Sequence, residues 1–136
     1  MNDRLPPPAA QAKKLGLTPG VLCALDSAPD GWRLEEPFPL TDAASVDVLI
    51  AFCTSEADLR SRLSALASRI YPAGALWIAW PRRAAGRVSD LGDQVVRTAI
   101  LELGLVDTKV AAIDTDWSGL KVVWRVANRQ GATAPV

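Results

Sequence analysis

Three short runs of almost entirely apolar residues constrain the fold of this chain more than any other feature. They cover residues 21–25, 46–52 and 75–80. Because each run is shorter than a typical helix and has no polar face, each indicates a strand buried on both sides, as in a parallel sheet covered by helices. We therefore expect a parallel sheet at the core of the protein.

The residues that follow the second and third runs have helical patterns. After the second run, Ser55 is placed as an N-cap, and apolar residues then recur at helical spacing. These apolar residues are Leu59, Leu63, Leu66 and Ile70. After the third run, Ser89 and Asp90 predict the N-cap of a second helix, which ends at Gly104 in a left-handed cap.

The last two predicted strands, residues 106–114 and 120–126, are separated by only five residues. So short a connection favours an antiparallel hairpin. The whole pattern predicts a small α/β, Rossmann-like three-layer sandwich, in which three parallel strands are followed by a C-terminal antiparallel hairpin. We expect one domain over residues 15–127, between flexible tails at residues 1–14 and 128–136.

The charge and hydropathy of the chain make two classes of partner unexpected. Fifteen basic and fifteen acidic side chains give a formal net charge of zero, whereas nucleic-acid binding proteins usually have a basic excess. No apolar run approaches the roughly 18 residues that span a bilayer. The first residues also lack the apolar stretch of a signal peptide. We therefore expect neither nucleic acid nor a membrane as a partner, and a cytoplasmic location.

The chain has two cysteines and no histidine. Cys23 and Cys53 lie in or beside apolar runs, which favours buried free thiols over a zinc site. Without histidine, the commonest general base and the usual partner of a serine or cysteine nucleophile are missing. The sequence therefore predicts no metal site and no catalytic residue, and it favours a non-enzymatic role.

Residues 46–126 contain a distinctive order of motifs. Asp47 lies in a strand, residues 70–76 lead from the helix into the next strand, and Gly104 and Leu105 precede the final hairpin. This order resembles the C-terminal half of class I methyltransferases. The resemblance implies a methyltransferase-like fold. An enzyme that uses S-adenosylmethionine is one interpretation of it.

The N-terminal half departs from the methyltransferase pattern. Those enzymes have a glycine-rich turn after the first strand, whereas here Pro29 lacks an N–H and Gly31 is the one glycine of residues 26–32. A regular βαβ unit of roughly 30 residues does not fit between residues 25 and 46. The resemblance therefore implies a truncated methyltransferase-like topology, and we expect no cofactor.

The whole chain resembles more closely a family of short, uncharacterised bacterial proteins with a Rossmann-like fold. The resemblance depends on residues 15–20, 28–31, 77–83, 89–91 and 114–120. It implies the fold and no particular activity.

Basic residues gather after the third predicted strand, at the edge where open parallel sheets usually bind ligands. They are Arg82, Arg83 and Arg87, and Ser89 and Asp90 follow at the predicted start of the second helix. Because the free N–H groups of a helix N-terminus favour anions, this loop predicts a site for a phosphate, a carboxylate or a nucleotide. The alternative is a solvated basic loop in which Ser89 is only an N-cap.

Two further pairs of residues are candidates for binding. Asp26 and Asp30, in the loop after the first strand, are candidate ligands for a hydroxyl-bearing molecule or a metal, although aspartate is also common in turns. Trp117 and Trp124 are candidate interface residues, because an exposed tryptophan at a sheet edge can mark a homodimer contact. We therefore expect a non-catalytic domain that binds a small anionic ligand or a protein partner. A methyltransferase-like enzyme and a homodimerisation module are the alternatives.

Overall fold

A computed structural model describes residues 10–83 and 89–136 of the chain. These residues form a mixed α/β fold with an open five-stranded sheet, which confirms the α/β part of the predicted fold class. The strands are β1 (Cys23–Asp26), β2 (Val48–Phe52), β3 (Ala75–Pro81), β4 (Leu105–Ala112) and β5 (Trp117–Trp124). The helices are α1 (Ala10–Leu15), α2 (Glu56–Arg69) and α3 (Asp93–Leu103), and a 3-10 turn follows at Val126–Asn128.

The strands lie in the order β1-β2-β3-β5-β4 across the sheet. Strands β1, β2 and β3 are parallel, with Ile50 of β2 opposite both Leu25 of β1 and Trp77 of β3. Strand β5 is antiparallel to β3 on one side and to β4 on the other. The carboxyl ends of β1, β2 and β3 therefore share one edge of the sheet, where the start of β5 also lies.

Each face of the sheet has its own core. On one face, α2 and α3 pack on alternate strand residues, such as Leu49, Leu76 and Trp124. On the opposite face, Leu15 of α1 and the irregular segment between β1 and β2 cover a second set of residues, which includes Trp77. The indole N–H of Trp77 donates to the Leu15 carbonyl at 3.3 Å, so that α1 is anchored to the middle of the sheet.

Two of the predicted helix caps are confirmed. Ser55 is the N-cap of α2, and its hydroxyl accepts a hydrogen bond from the Asp58 N–H at 3.1 Å. Gly104 ends α3 with a φ of 93°, a left-handed conformation that glycine adopts without steric cost. The predicted N-cap of α3 at Ser89 and Asp90 is wrong, because the helix begins at Asp93 and Gly92 is its N-cap.

The structure also shows contacts in both predicted tails and corrects the predicted start of β5. Residues 10–14, expected in the N-terminal tail, form most of α1, in which Gln11 is buried and donates to the Ile113 carbonyl at 2.9 Å. Residues 128–136 also make contacts, since the Tyr71 hydroxyl donates to the Gly131 carbonyl at 2.7 Å. Strand β5 begins at Trp117 and not at residue 120, because Asp114 accepts from the N–H groups of both Asp116 and Trp117 and so closes a tight turn.

None of the helices in the described ranges is long and apolar enough to cross a membrane.

Candidate functional site

The edge formed by the carboxyl ends of the parallel strands has two contrasting parts. We call the first part the β1–β2 end; it contains Asp26, at the end of β1, and Phe52 and Cys53, at and just after the end of β2. We call the second part the β3 cleft; it lies beyond Pro81, between the start of α3 and the β4–β5 hairpin. In open parallel sheets both positions are available to ligands.

The side chain of Arg62, on α2, occupies the β1–β2 end. Its guanidinium donates to Asp26 Oδ1 at 2.6 Å and to Asp58 Oδ2 at 2.8 Å. It also donates to the Phe52 carbonyl at 2.9 Å and contacts Cys53 Sγ at 3.5 Å. Because this one side chain connects the ends of β1 and β2 with the first turn of α2, it fills the space beyond the two strands.

Burial sets the protonation of the groups around Arg62. Burial raises the pKa of the Cys53 thiol to about 11, although the neighbouring Arg62 lowers it. Burial likewise raises the pKa of Cys23 to about 11. For Arg62 itself, burial lowers the pKa, but the hydrogen bond to Asp26 and the nearby negative charges outweigh this effect, and the pKa is raised. Both cysteines are free and buried, so their thiols are protonated and poorly nucleophilic at neutral pH.

Aromatic side chains fill the opposite face of the β1–β2 end. Phe52 makes edge contacts with Trp32 and Trp117, with ring centroids 4.8 Å and 5.0 Å apart. The Trp32 indole N–H donates to Asp114 Oδ2 at 2.8 Å, which joins the loop after β1 to the hairpin turn. The β1–β2 end is therefore occupied by the protein's own side chains on both faces.

The β3 cleft, in contrast, is an open concavity of about 640 Å³. Residues 80–83 form one wall and residues 91–93 form the other. The floor consists of residues 110–112 of β4 together with Ser118 of β5. These floor residues are small or apolar, whereas the walls carry backbone N–H groups and two arginines.

The N-terminus of α3 opens into this cleft without a side-chain cap. Gly92 is the N-cap residue, and with no side chain it cannot accept a hydrogen bond from the first turn. The first acidic residue, Asp93, is paired with Arg97 at 2.9 Å, and Arg97 also binds Asp107 at 3.0 Å. Because Arg97 lies on the same helix, its positive charge balances the negative charge of Asp93.

The predicted basic residues lie partly at this cleft. Arg83 is exposed and lines it. Arg82 also lines it, but its guanidinium donates at 3.3 Å to the carbonyls of Asp114 and Thr115. Arg82 therefore fastens β3 to the hairpin turn, and Arg83 is the more available cation. Arg87 lies outside the described residues.

Ser89 and Asp90 belong to a different part of the edge than predicted. The Ser89 hydroxyl donates to the Thr54 carbonyl at 2.8 Å and accepts from the Leu91 N–H. Asp90 Oδ1 accepts from the Glu56 N–H at 2.8 Å. Both side chains thus hold the start of α2, and neither caps α3. This corrects their predicted role as the cap of α3, and their role as anion ligands stays a prediction.

Asp26 and Asp30 have different surroundings. Asp26 is paired with Arg62, and a second guanidinium, that of Arg69, lies 3.9 Å away. Asp30 is exposed in a turn in which the Trp32 N–H donates to the Pro29 carbonyl. Asp26 therefore has a structural partner, and Asp30 has the position of an ordinary turn residue.

The two tryptophans predicted at an interface are buried. Trp117 is in the aromatic cluster of the β1–β2 end. Trp124 is fully buried, and its indole N–H donates to the Ala67 carbonyl at 2.9 Å. This corrects the expectation that they are exposed, since β5 lies inside the sheet and its apolar face packs on α2.

Strand β4 is at the outer edge of the sheet, where homodimerisation was predicted. A bulge lies between Asp107 and Lys109, and the Lys14 ammonium donates to the Ala112 carbonyl at 2.8 Å. A bulge and lysine side chains are features that hinder edge-to-edge pairing. Homodimerisation through this edge stays a prediction.

Sequence reasoning missed Arg62 and Gly92, the residues that distinguish the two parts of the edge. The spacing of Asp58 and Arg62 indicates a helical ion pair, but the partner Asp26 is distant in sequence. Gly92 carries a local signal, because a glycine within a predicted helix often marks its boundary.

Among the residues that the structure describes, no cluster of histidine, cysteine, aspartate or glutamate could hold a metal ion. No protein-family model matches the chain, and comparison with curated proteins finds no significant match.

Proposed function

We propose that this protein is a non-catalytic, Rossmann-like domain with a truncated methyltransferase-like topology, and that it binds a small anionic ligand in the β3 cleft. Three parallel strands followed by a hairpin, whose second strand lies beside β3, support the topology. They agree with the order of elements on which the resemblance to methyltransferases is based. The binding function is supported by the cleft itself.

The observation that carries the proposal is the uncapped N-terminus of α3, which opens into the cleft beside Arg83. The first N–H groups of a helix have no partner within the helix, and the helix dipole places partial positive charge there. An anion that accepts hydrogen bonds from these groups would also be attracted by the Arg83 guanidinium. Helix N-termini of this kind bind phosphates and carboxylates.

The composition of the cleft limits the class of ligand further. Val110, Ala111 and Ala112 provide an apolar floor, and Trp80 and Leu91 contribute to the walls. The volume, about 640 Å³, is within the range of small-molecule sites. A ligand that combines one anionic group with an apolar body would use both the polar wall and the apolar floor. An aryl phosphate or aryl carboxylate has this chemistry.

A titration followed by amide chemical shifts tests the proposal. Phenyl phosphate and benzoate should shift the backbone N–H signals of residues 92–95, whereas benzyl alcohol, which has no charge, should not. The Arg83→Ala variant should bind about tenfold more weakly, because it loses a charge-assisted hydrogen bond. The Arg125→Ala variant, which removes an exposed arginine from beyond β5, is the matched control.

The proposal fails if residues 92–95 do not shift, or if Arg83→Ala and Arg125→Ala bind equally well. Equal binding of benzyl alcohol would also contradict it, since the anionic group would then contribute nothing.

An S-adenosylmethionine-dependent methyltransferase is the second candidate, and the strand arrangement is what favours it. In folds of this type the cofactor crevice lies beyond the first strand and its neighbour. In this protein Arg62 and the cluster of Trp32, Phe52 and Trp117 occupy that position. Titration with S-adenosylmethionine, followed by calorimetry and by amide chemical shifts, separates the two candidates. Measurable heat of binding together with a change in the amide chemical shift of Asp26 would support the enzyme.

A further inference from the structure

An apolar groove of about 390 Å³ lies beside β1, remote in sequence from the β3 cleft. We call it the β1-side groove. Its apolar lining consists of Leu25, Trp32, Leu34, Pro37, Phe38 and Leu40. Leu40 is 50% exposed, which is a large exposed fraction for a leucine in a concave surface. Two aromatic rings in a groove are typical anchor positions for an apolar side chain of a partner.

The backbone edge of β1 beside this groove is already paired. Leu40 forms an isolated parallel bridge with Cys23, and the Thr41 N–H donates to the Cys23 carbonyl at 2.9 Å. A partner could not add a strand at this position without displacing the segment around Leu40. It would therefore be recognised through side chains that enter the groove, and not through strand addition.

The groove is surrounded by a local excess of negative charge, although the whole chain is neutral. Residues 30–42 contain four carboxylates and one arginine, Arg33, which itself lines the groove. Glu35 lines the groove and is exposed, and Asp42 is exposed two residues after Leu40. Neither Glu35 nor Asp42 is in an ion pair with any residue in the described part of the chain. The position of Glu35 is fixed, because its N–H donates to the Gln11 side-chain oxygen at 2.8 Å.

We propose that the β1-side groove docks a peptide segment of a protein partner, in which an apolar side chain is flanked by lysine or arginine. The apolar side chain would enter between Phe38 and Leu40, and the flanking cation would pair with Glu35 or Asp42. Complementary charge across such a contact gives specificity and accelerates association. This proposal does not depend on the β3 cleft and stands if the anion titration fails.

Selection from a phage-displayed library of random dodecapeptides tests the proposal. The target is the full chain, and the Leu40→Asp variant serves for counter-selection. Since Leu40 is half exposed, this substitution leaves the fold intact, which the dispersion of the amide spectrum verifies. Selected peptides should place lysine or arginine within three residues of leucine, phenylalanine or tryptophan, and should shift the signals of Trp32 and Leu40.

Variants then separate the contribution of the apolar contact from that of the charge contact. Leu40→Asp should weaken a selected peptide by at least about tenfold, as expected of an interface anchor. Glu35→Lys should weaken it by about threefold to tenfold, with an effect that shrinks at high salt. Val126→Asp, at a residue that is 69% exposed beyond β5, should leave the affinity unchanged.

Four outcomes would overturn the proposal. The first is the absence of enriched peptides, and the second is enrichment of peptides without a basic residue. The third is dimerisation of the chain in sedimentation experiments that Leu40→Asp abolishes, because the occupant would then be a second copy. The fourth is peptide binding by the Leu5→Glu variant but not by the wild type. The chain's own Arg4-Leu5 sequence would then be the occupant of the groove in the wild type.

Discussion

The β1–β2 end and the β3 cleft lie on the same edge of one sheet, yet one is filled and the other is open. At the β1–β2 end, Arg62 reaches Asp26 on one face and Phe52 packs between two indoles on the other. At the β3 cleft, the wall is the exposed start of α3 beside Arg83. The fold alone therefore does not determine where a ligand can bind; the side chains that reach the strand ends determine it.

The two helix N-termini at this edge differ in the same way. The start of α2 receives two acceptors, the Ser55 hydroxyl for Asp58 and the Asp90 carboxylate for Glu56. The start of α3 has glycine as its N-cap and receives no side-chain acceptor from residues 10–83 or 89–136. Asp90 precedes α3 in the chain, yet its carboxylate caps α2. The N-terminus of α2 is therefore capped, and the N-terminus of α3 is available to a ligand.

The aromatic filling of the β1–β2 end gives the largest expected effect. Phe52→Ala should lower the free energy of unfolding by about 3–5 kcal/mol, because it removes a buried ring that contacts both Trp32 and Trp117. Urea denaturation followed by tryptophan fluorescence measures the change. Leu101→Ala, at a position 47% exposed on α3, is the control and should cost less than about 1 kcal/mol. A loss below 1 kcal/mol for Phe52→Ala would mean that this end is not tightly packed.

The buried thiol beneath Arg62 predicts a stability change at alkaline pH. The pKa of Cys53 is about 11 in the folded protein, above its ordinary value of 9.0. Between these values the unfolded chain loses the proton while the folded chain keeps it, so stability is complete below pH 9 and falls as the pH rises towards 11. The loss should reach about 2–3 kcal/mol for this thiol.

The measurement is the free energy of unfolding from pH 8 to 11 in the wild type and in Cys53→Ala. The variant should have the shallower decline, because only the wild type has this thiol to ionise on unfolding. Parallel pH profiles of the two proteins would show that Cys53 is accessible to solvent and that the β1–β2 end is open.

The ion pairs of Arg62 should contribute more than those of Arg60, a neighbour on the same helix. Each arginine binds two carboxylates, but the side chain of Arg62 is 21% exposed and that of Arg60 is 39% exposed. Arg62→Ala should cost about 2 kcal/mol, because Asp58 and the Phe52 carbonyl lose their donor and Asp26 keeps only the Arg69 guanidinium, 3.9 Å away, as a charged partner. Arg60→Ala should cost clearly less than Arg62→Ala, as is usual for exposed pairs.

Urea denaturation of both arginine variants at neutral pH gives the comparison directly. Equal losses would contradict the conclusion that Arg62 fills the β1–β2 end as a buried connection. A gain of S-adenosylmethionine binding in Arg62→Ala would sharpen that conclusion, since it would identify the guanidinium as the obstacle.

The sequence predicted those features that depend on neighbouring residues. The buried strands, the Ser55 cap and the left-handed Gly104 cap each have a signal within a few residues, and each is present. The candidate site was predicted less well, because its hydrogen bonds join distant residues. Asp90 accepts from Glu56, and Arg62 donates to Asp26, and no local pattern indicates either pairing.

The tryptophans illustrate the same limit. Trp117 falls between the two predicted strands of the hairpin, where aspartate, serine and glycine, which are common in turns, surround it. In the folded chain Asp114 closes the turn early, so that Trp117 begins β5 and packs on Phe52. Burial of an aromatic ring depends on which strand ends meet in space, and this information is absent from the sequence pattern.

The smallest expected change in stability gives the most direct test of the β3 cleft. Gly92 has an extended backbone with a φ of −163°, and a Cβ added there meets no atom within 4 Å, so a side chain fits without strain. Gly92→Asp should cap α3 and stabilise the protein by only a few tenths of a kcal/mol, because glycine is itself a tolerable N-cap.

The same Gly92→Asp substitution should strongly affect the ligand. The new carboxylate would accept the N–H groups that the anion needs and would repel the anion's charge, so that the affinity for phenyl phosphate should fall at least about tenfold. Gly92→Ala is the matched control: it adds a Cβ but no acceptor, and it should keep the affinity within about threefold of the wild type. If Gly92→Asp binds phenyl phosphate as well as Gly92→Ala does, the α3 N-terminus is not the anion site. In that case the openness of the cleft has no bearing on what the protein binds.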